Sequence, residues 1–205
     1  MARLWALLIG YGLGNFLFAL IIGHFILHQD PTKVGSGNPG TANVGAVFGK
    51  KWGIITCAGD LGKTAVALLV VHYFLPGAIN LLYAGLGLTL GHCFPCWNNF
   101  QGGKGVTVAA LLAVIYDLRA GALTLLLALI VMILLQNLTI PPLVFMIIFS
   151  LYELIRVREA GILLLAMTLI MAFKFRFDLQ DFFAGKGKKV DVLYTIKRKL
   201  GINMK

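Results

Sequence analysis

The chain has 205 residues, of which 59% are hydrophobic and 13% charged, with a formal net charge of +10. That composition excludes an ordinary water-soluble domain, which carries about 45–50% apolar residues. A bilayer span takes about 20 apolar residues, so this length holds roughly six or seven short helices and leaves no room among them for a separate soluble catalytic domain. Much of the positive charge lies from Lys174 onward, past the last apolar run, where topology and anionic lipid account for it. No aromatic-interleaved basic platform points to nucleic acid.

The first apolar run covers 2–27. Arg3 near its start gives the look of a signal peptide, but the run is longer than a signal core and has no clean small-x-small cleavage site. It reads as the first span.

The long connector 28–52 contains Gly35, Ser36, Gly37, Asn38, Pro39, Gly40, Thr41, Ala42, Asn43, Val44 and Gly45 in succession. Glycines let successive backbone N–H groups face one point and form an anion nest, and Ser36, Asn38 and Asn43 add neutral hydrogen-bonding groups. A plain turn needs only two such residues, so an oxyanion or phosphate is the expected guest.

The second run, 53–75, carries Asp60 and Lys63, three residues apart and on one helix face. Charges at membrane depth pair or line a polar site, and a structural ion pair bordering the site is the expectation here. The stretch Gly59 to Thr64 imitates the end of a nucleotide-binding loop, but Cys57 stands where the first glycine belongs and no strand precedes it.

The third run, 76–96, ends with His92 and the pair Cys93 and Cys96. His92 reads either as a buried, hydrogen-bonded side chain or as a site residue. The C-x-x-C spacing allows a thiol redox centre, but on a reducing face two packing cysteines are the simpler reading.

In the next connector Gly102, Gly103 and Gly105 surround Lys104 at the start of an apolar run. A lysine there offers a point charge to phosphate, while the helix N-terminus adds a partial positive charge. The remaining runs are 105–117, too short to span alone, then 120–136, 139–155 and 159–175. The basic tail 176–205 follows, and its stretch 190–204 suits an interfacial helix.

If seven helices alternate sides, one face collects Lys33, Lys50, Lys51, Lys104 and the tail, and the other only Arg3, Arg119, Arg156 and Arg158. The positive-inside rule then gives an all-α integral membrane protein of about seven transmembrane helices with a cytoplasmic C-terminus. It forms one polytopic domain over 1–205, with both glycine-rich connectors on the cytoplasmic face.

Three motifs in this order resemble the PlsY family, integral-membrane acyltransferases that move a fatty acyl group from acyl phosphate to glycerol 3-phosphate. They are G-S-G-N-P-G-T-A-N-V (35–44), D-L-G-K (60–63) and G-H-C-F-P-C-W-N-N-F-Q-G-G-K-G-V (91–106), and the resemblance runs from about Tyr11 to Gly185. It implies a phospholipid-forming enzyme of the bacterial inner membrane that works without metal or cofactor. Its substrates would be acyl phosphate and glycerol 3-phosphate, among membrane lipids and without nucleic acid, and its product lysophosphatidic acid.

Carried over residue by residue, Ser36, Asn38 and Lys104 become the catalytic candidates, and Gly35, Gly37, Gly40, Asn43, Gly102, Gly103 and Gly105 the substrate- and phosphate-binding ones. Asp60, Lys63, His92 and Arg176 would support them.

The chain also departs from the family pattern. Ala46 stands where an arginine is expected, Thr41 and Ala42 are reversed, and the stretch Lys174 to Asp178 replaces an Arg-His-x-Glu-Asn stretch, with Phe175 for the histidine. Arg176, Lys174 or Lys50 would have to supply the lost cation, or the acceptor differs. A non-catalytic lipid-binding or transport relative, and a thiol oxidoreductase using Cys93 and Cys96, are the competing classes.

Overall fold

The structure, a computed structural model, describes residues 1–187. The interfacial helix expected over 190–204 lies outside the described residues. The described chain is all helical: α1 (Ala2–Gly14), α2 (Phe18–Phe25), α3 (Thr41–Val47), α4 (Lys50–Phe74), α5 (Ala78–Cys93), α6 (Val106–Tyr116), α7 (Leu118–Leu135), α8 (Ile140–Arg156), α9 (Arg158–Lys174) and α10 (Arg176–Phe183).

Four stretches are long and apolar enough to cross a bilayer: Ala2–Phe25, Lys50–Phe74, Ala78–Asn98 and Leu118–Leu135. A fifth is added if α9 and α10, bent by 65° at Phe175, count as one. At 11 residues, α6 is about 16 Å long and falls short of a bilayer, as its brevity in the sequence suggests. The first run, expected as one helix, is broken at Asn15–Leu17 into α1 and α2.

Between apolar helices in lipid, association rests on close van der Waals packing rather than on escape from water, so small residues mark the contacts. The tightest pairing is α1 with α5, and each contributes a G-x-x-x-G step: Gly10 and Gly14 face Ala84 and Leu88, while Gly87 and Gly91 face Leu7 and Tyr11. A Cβ at any of these glycines would collide with the backbone opposite. Because 10 meets 84 and 14 meets 88, the two helices run parallel. In the same way α7 packs on α6 through Gly121 against Ala113, and α9 on α8 through Gly161 against Leu154. Leu82, Leu88, Leu112, Phe145, Phe149 and Met167 fill the interior, while Leu123, Leu134 and Leu169 remain on the outside.

These directions sort the connectors. One end of the bundle holds Arg3 bound to Glu159 at 2.8 Å, Tyr83 bound to Glu159 at 3.0 Å, and the Arg156–Asp117 pair. The other end holds both glycine-rich connectors, the α7–α8 turn and α10. There a Cβ on Gly187 would lie 3.4 Å from the Asn137 side chain, and Lys174 donates to the Cys93 carbonyl at 3.0 Å. Lys33, Lys50, Lys51, Lys104, Lys174 and Arg176 gather at this second end, and Arg3, Arg156 and Arg158 at the first.

Candidate functional site

The second glycine loop hangs from a buried polar cluster. On α4, Lys63 and Asp60 approach to 3.1 Å with side chains 3% exposed each, so the expected ion pair is present inside the bundle. Lys63 Nζ also donates to the carbonyls of Gly14 (3.2 Å) and Phe16 (2.7 Å), the groups freed where α1 ends. It lies 2.9 Å from His92 Nδ1. An ammonium only donates, so Nδ1 accepts and the ring proton sits on Nε2.

That Nε2 faces Gly103, where a Cβ would collide with it. Gly103 N–H and Gly102 N–H donate back to the carbonyls of His92 (3.0 Å) and Cys93 (3.2 Å), so the loop folds onto the end of α5. The buried, hydrogen-bonded reading of His92 is the one present, with its ring packed against the loop.

Sequence reasoning missed Asn15 and Tyr11. Asn15 accepts the Cys96 N–H at 2.8 Å through Oδ1, and its carbonyl accepts Trp97 Nε1 at 2.8 Å. Tyr11 donates to the Phe94 carbonyl at 3.1 Å. A lone asparagine inside an apolar run was the available signal, since buried polar groups require partners.

Beyond Gly103 the loop opens into a donor array. Gly105, at φ +78°, turns the chain into α6, and the first-turn N–H groups of that helix have no intrahelical acceptor. Nor do the N–H groups of Lys104 and Gly105 find an acceptor among the described residues. These donors and the Lys104 ammonium belong to one short stretch of chain, which suits an anion. In this structure the ammonium contacts both carboxylate oxygens of Asp178 at 2.7 Å and lies 4.6 Å from the centre of the Phe175 ring.

The first loop is built differently. Gly35 and Gly37 take left-handed conformations (φ +63° and +71°) on either side of Ser36. Asn43 Oδ1 accepts the Ser36 N–H at 2.8 Å, and its amide donates to the carbonyls of Pro31 (2.9 Å) and Val34 (3.0 Å). Gly37 N–H bonds Val34 and Gly40 N–H bonds Asn38. The expected nest of free N–H groups is therefore absent at these positions, because Asn43 and the loop's own carbonyls consume the donors. What remains for a guest is the side chains of Ser36 and Asn38, together with the N–H groups of Gly35 and of Thr41, Ala42 and Asn43 in the first turn of α3, which find no acceptor among the described residues. At the loop entrance, the Thr32 hydroxyl and N–H hydrogen-bond Asp30 and hold its carboxyl below the usual range.

Helix α4 links the loops. Its Gly53 backs onto Gly45 of α3, where a Cβ would lie 2.8 Å from the Gly45 Cα. From Gly53 to Lys63 is about 15 Å along the axis. Between them Thr56 is fully buried, and its hydroxyl, like that of Thr41, has no hydrogen-bond partner among the described residues. No hydrogen bond or ion pair joins Ser36, Asn38 or Asn43 to Lys104 among the described residues. The loops share one end of the bundle without touching through these groups.

Of the cations offered for the lost arginine, Arg176 stacks on Phe173 and Phe177 at 4.2 and 4.3 Å and donates to the Phe173 carbonyl. Lys50 is exposed. Lys174, on the Cys93 carbonyl that also receives Gly102, is the one bonded at the base of the second loop. Cys93 is buried and Cys96 exposed, and both are free thiols. Replacing both with alanine is expected to leave turnover within about twofold, because neither sulfur carries a bond of the loop. A larger loss in a phosphate-release assay would favour the thiol chemistry.

Residues 4–185 match the family described as glycerol-3-phosphate acyltransferase. The chain is 62% identical over 202 residues to glycerol-3-phosphate acyltransferase 1 of Lactobacillus acidophilus, covering 98% of each chain. It is 60% identical over 199 residues to the protein of that name in Lactobacillus johnsonii, covering 96% of this chain and 97% of the relative. Its fold matches the crystal structure of PlsY, an integral membrane glycerol 3-phosphate acyltransferase, in the glycerol 3-phosphate form. There the TM-score is 0.85 at 22% identity, over 96% of this chain and 99% of that one. With its multi-pass array of apolar helices and a family match over nearly its whole length, the chain belongs to the glycerol-3-phosphate acyltransferase family.

Proposed function

We propose that this protein transfers a fatty acyl group from acyl phosphate to glycerol 3-phosphate, giving lysophosphatidic acid and inorganic phosphate. The observation that carries the reading is the 62% identity, end to end, to a protein named for glycerol-3-phosphate acyl transfer.

Acyl phosphate is an activated mixed anhydride, so the protein need only hold an acceptor hydroxyl against its carbonyl and stabilise the oxyanion that develops. The hydroxyl oxygen bonds the acyl carbon, the bond from that carbon to the phosphate oxygen breaks, and a phosphate oxygen takes the hydroxyl proton. Lys104 and the donors at the start of α6 hold phosphate charge. Ser36 and Asn38 bind the acceptor, and the unpartnered hydroxyls of Thr41 and Thr56 offer polar groups along the helix joining the two loops. Asp60, Lys63 and His92 keep Gly103 in place, and Lys174 supplies the second cation. Residues 1–205 act as one membrane domain. The lysine-rich end faces the cytoplasm, because the positive-inside rule assigns it there.

The test is to incubate pure protein in detergent with acyl phosphate and a panel of polar acceptors, measuring phosphate release and new acylated lipid. Glycerol 3-phosphate is the acceptor expected to react. No product with any acceptor would leave a non-catalytic lipid-binding protein. Ser36→Ala and Asn38→Ala are each expected to lower kcat/KM about tenfold, the worth of one hydrogen bond to a charged substrate. Unaltered kinetics in both would remove the first loop from the site.

A further inference from the structure

The lysine that should carry phosphate charge already carries a carboxylate. Asp178, in the first turn of α10, places both oxygens 2.7 Å from Lys104 Nζ. The bend at Phe175 turns α10 away from α9 by 65°, and the Phe175 ring lies under the same ammonium. The pair is partly open, with side chains 18% and 38% exposed, so it is accessible to an anion from water. Beside it lie the N–H groups of Lys104 and Gly105, which lack acceptors among the described residues, and the first turn of α6.

We propose that Asp178 is an affinity-setting residue: its carboxylate competes with substrate phosphate for Lys104 and so weakens phosphate binding at the start of α6. The inference rests on the acyl-transfer reading for its meaning, but not for its test. An arriving phosphate must displace the carboxylate or share the ammonium with it, and two anions on one cation repel each other. The contact is formed by opposite charges at charge-assisted hydrogen-bond distance, while its exposure keeps the competition modest. A neutral side chain at 178 removes the competitor and keeps the lysine.

The experiment measures binding of inorganic phosphate to the full-length protein in detergent by titration calorimetry, together with acyl-transfer kinetics. Asp178→Asn is expected to tighten phosphate about three- to tenfold and to lower KM for the phosphate-bearing substrate by a similar factor, with kcat changed less than about twofold. Asp178→Ser serves if the amide variant does not fold. Asp181→Asn removes the same charge one turn away on α10 and is expected to change neither constant. In Lys104→Ala the gain from Asp178→Asn is expected to vanish.

Unchanged or weaker phosphate binding in both folded Asp178 variants would overturn the proposal, as would an equal gain from Asp181→Asn or a gain that persists without Lys104. Tighter phosphate in a protein that forms no acylated product would sustain the inference while defeating the acyl-transfer reading.

Discussion

Lys104→Ala is expected to lower kcat/KM for acyl transfer at least about a hundredfold while the helical bundle stays intact. Removing a positioned donor from a developing oxyanion costs about 2.7–4 kcal/mol, or two to three powers of ten in rate. Lys104 offers the only ammonium in the second glycine loop, next to the donors that open α6. The fold has little to lose. Among the described residues the lysine pairs with Asp178, whose side chain is 38% exposed, and such a pair contributes about 0–1 kcal/mol. Asp178 left alone is solvated. Turnover equal to the unmodified protein, in a sample that elutes normally on gel filtration, would remove Lys104 from the chemistry.

The second large effect falls on stability. Lys63→Met leaves Asp60 2% exposed without its cation, and breaking one side of a buried pair costs about 3–5 kcal/mol. The carbonyls of Gly14 and Phe16 lose their donor in the same step, at the break between α1 and α2. His92 loses the contact that sets its tautomer against Gly103. A fall in thermal unfolding temperature in detergent is therefore expected together with loss of activity. Asp60→Asn combined with Lys63→Met should regain part of the stability, because the uncompensated charge is gone. A single Lys63→Met variant as stable as the parent would show that the cluster does not hold the loop.

The sequence made the membrane class and most helix positions readable, because apolar runs and Gly, Pro and charge breaks act locally. The pairing of Asp60 with Lys63 followed from helical spacing alone. The break at Asn15–Leu17 was not readable, since its freed carbonyls are satisfied by Lys63 and Trp97, both far along the chain. The parallel packing of α1 on α5 is carried by Gly10, Gly14, Gly87 and Gly91, a spacing present in the sequence whose meaning appears only once the two helices are seen together.

The two glycine loops differ in how far their composition could be trusted. Around Lys104 the expected donors are present, because Gly105 starts a helix whose first turn leaves its N–H groups without intrahelical acceptors. Around Ser36 the same kind of composition gives another result, because Asn43 reaches back from α3 and takes the N–H that a nest would present. Glycine content marks where a backbone can turn tightly; the partners its N–H groups choose depend on side chains elsewhere. Asp178 shows the same limit. In the sequence it stood only at the end of the stretch that replaces Arg-His-x-Glu-Asn, and only the fold reveals it on Lys104.

The two loops are expected to serve a single substrate-bearing space, with the charge supplied at the second. A crystal structure of the protein with glycerol 3-phosphate tests it most directly. Phosphate oxygens within about 3 Å of Lys104 Nζ and of the opening N–H groups of α6 are predicted, with Ser36 or Asn38 touching a substrate in the same space. Phosphate bound away from Lys104, or a ligand space bounded by one loop alone, would contradict the account.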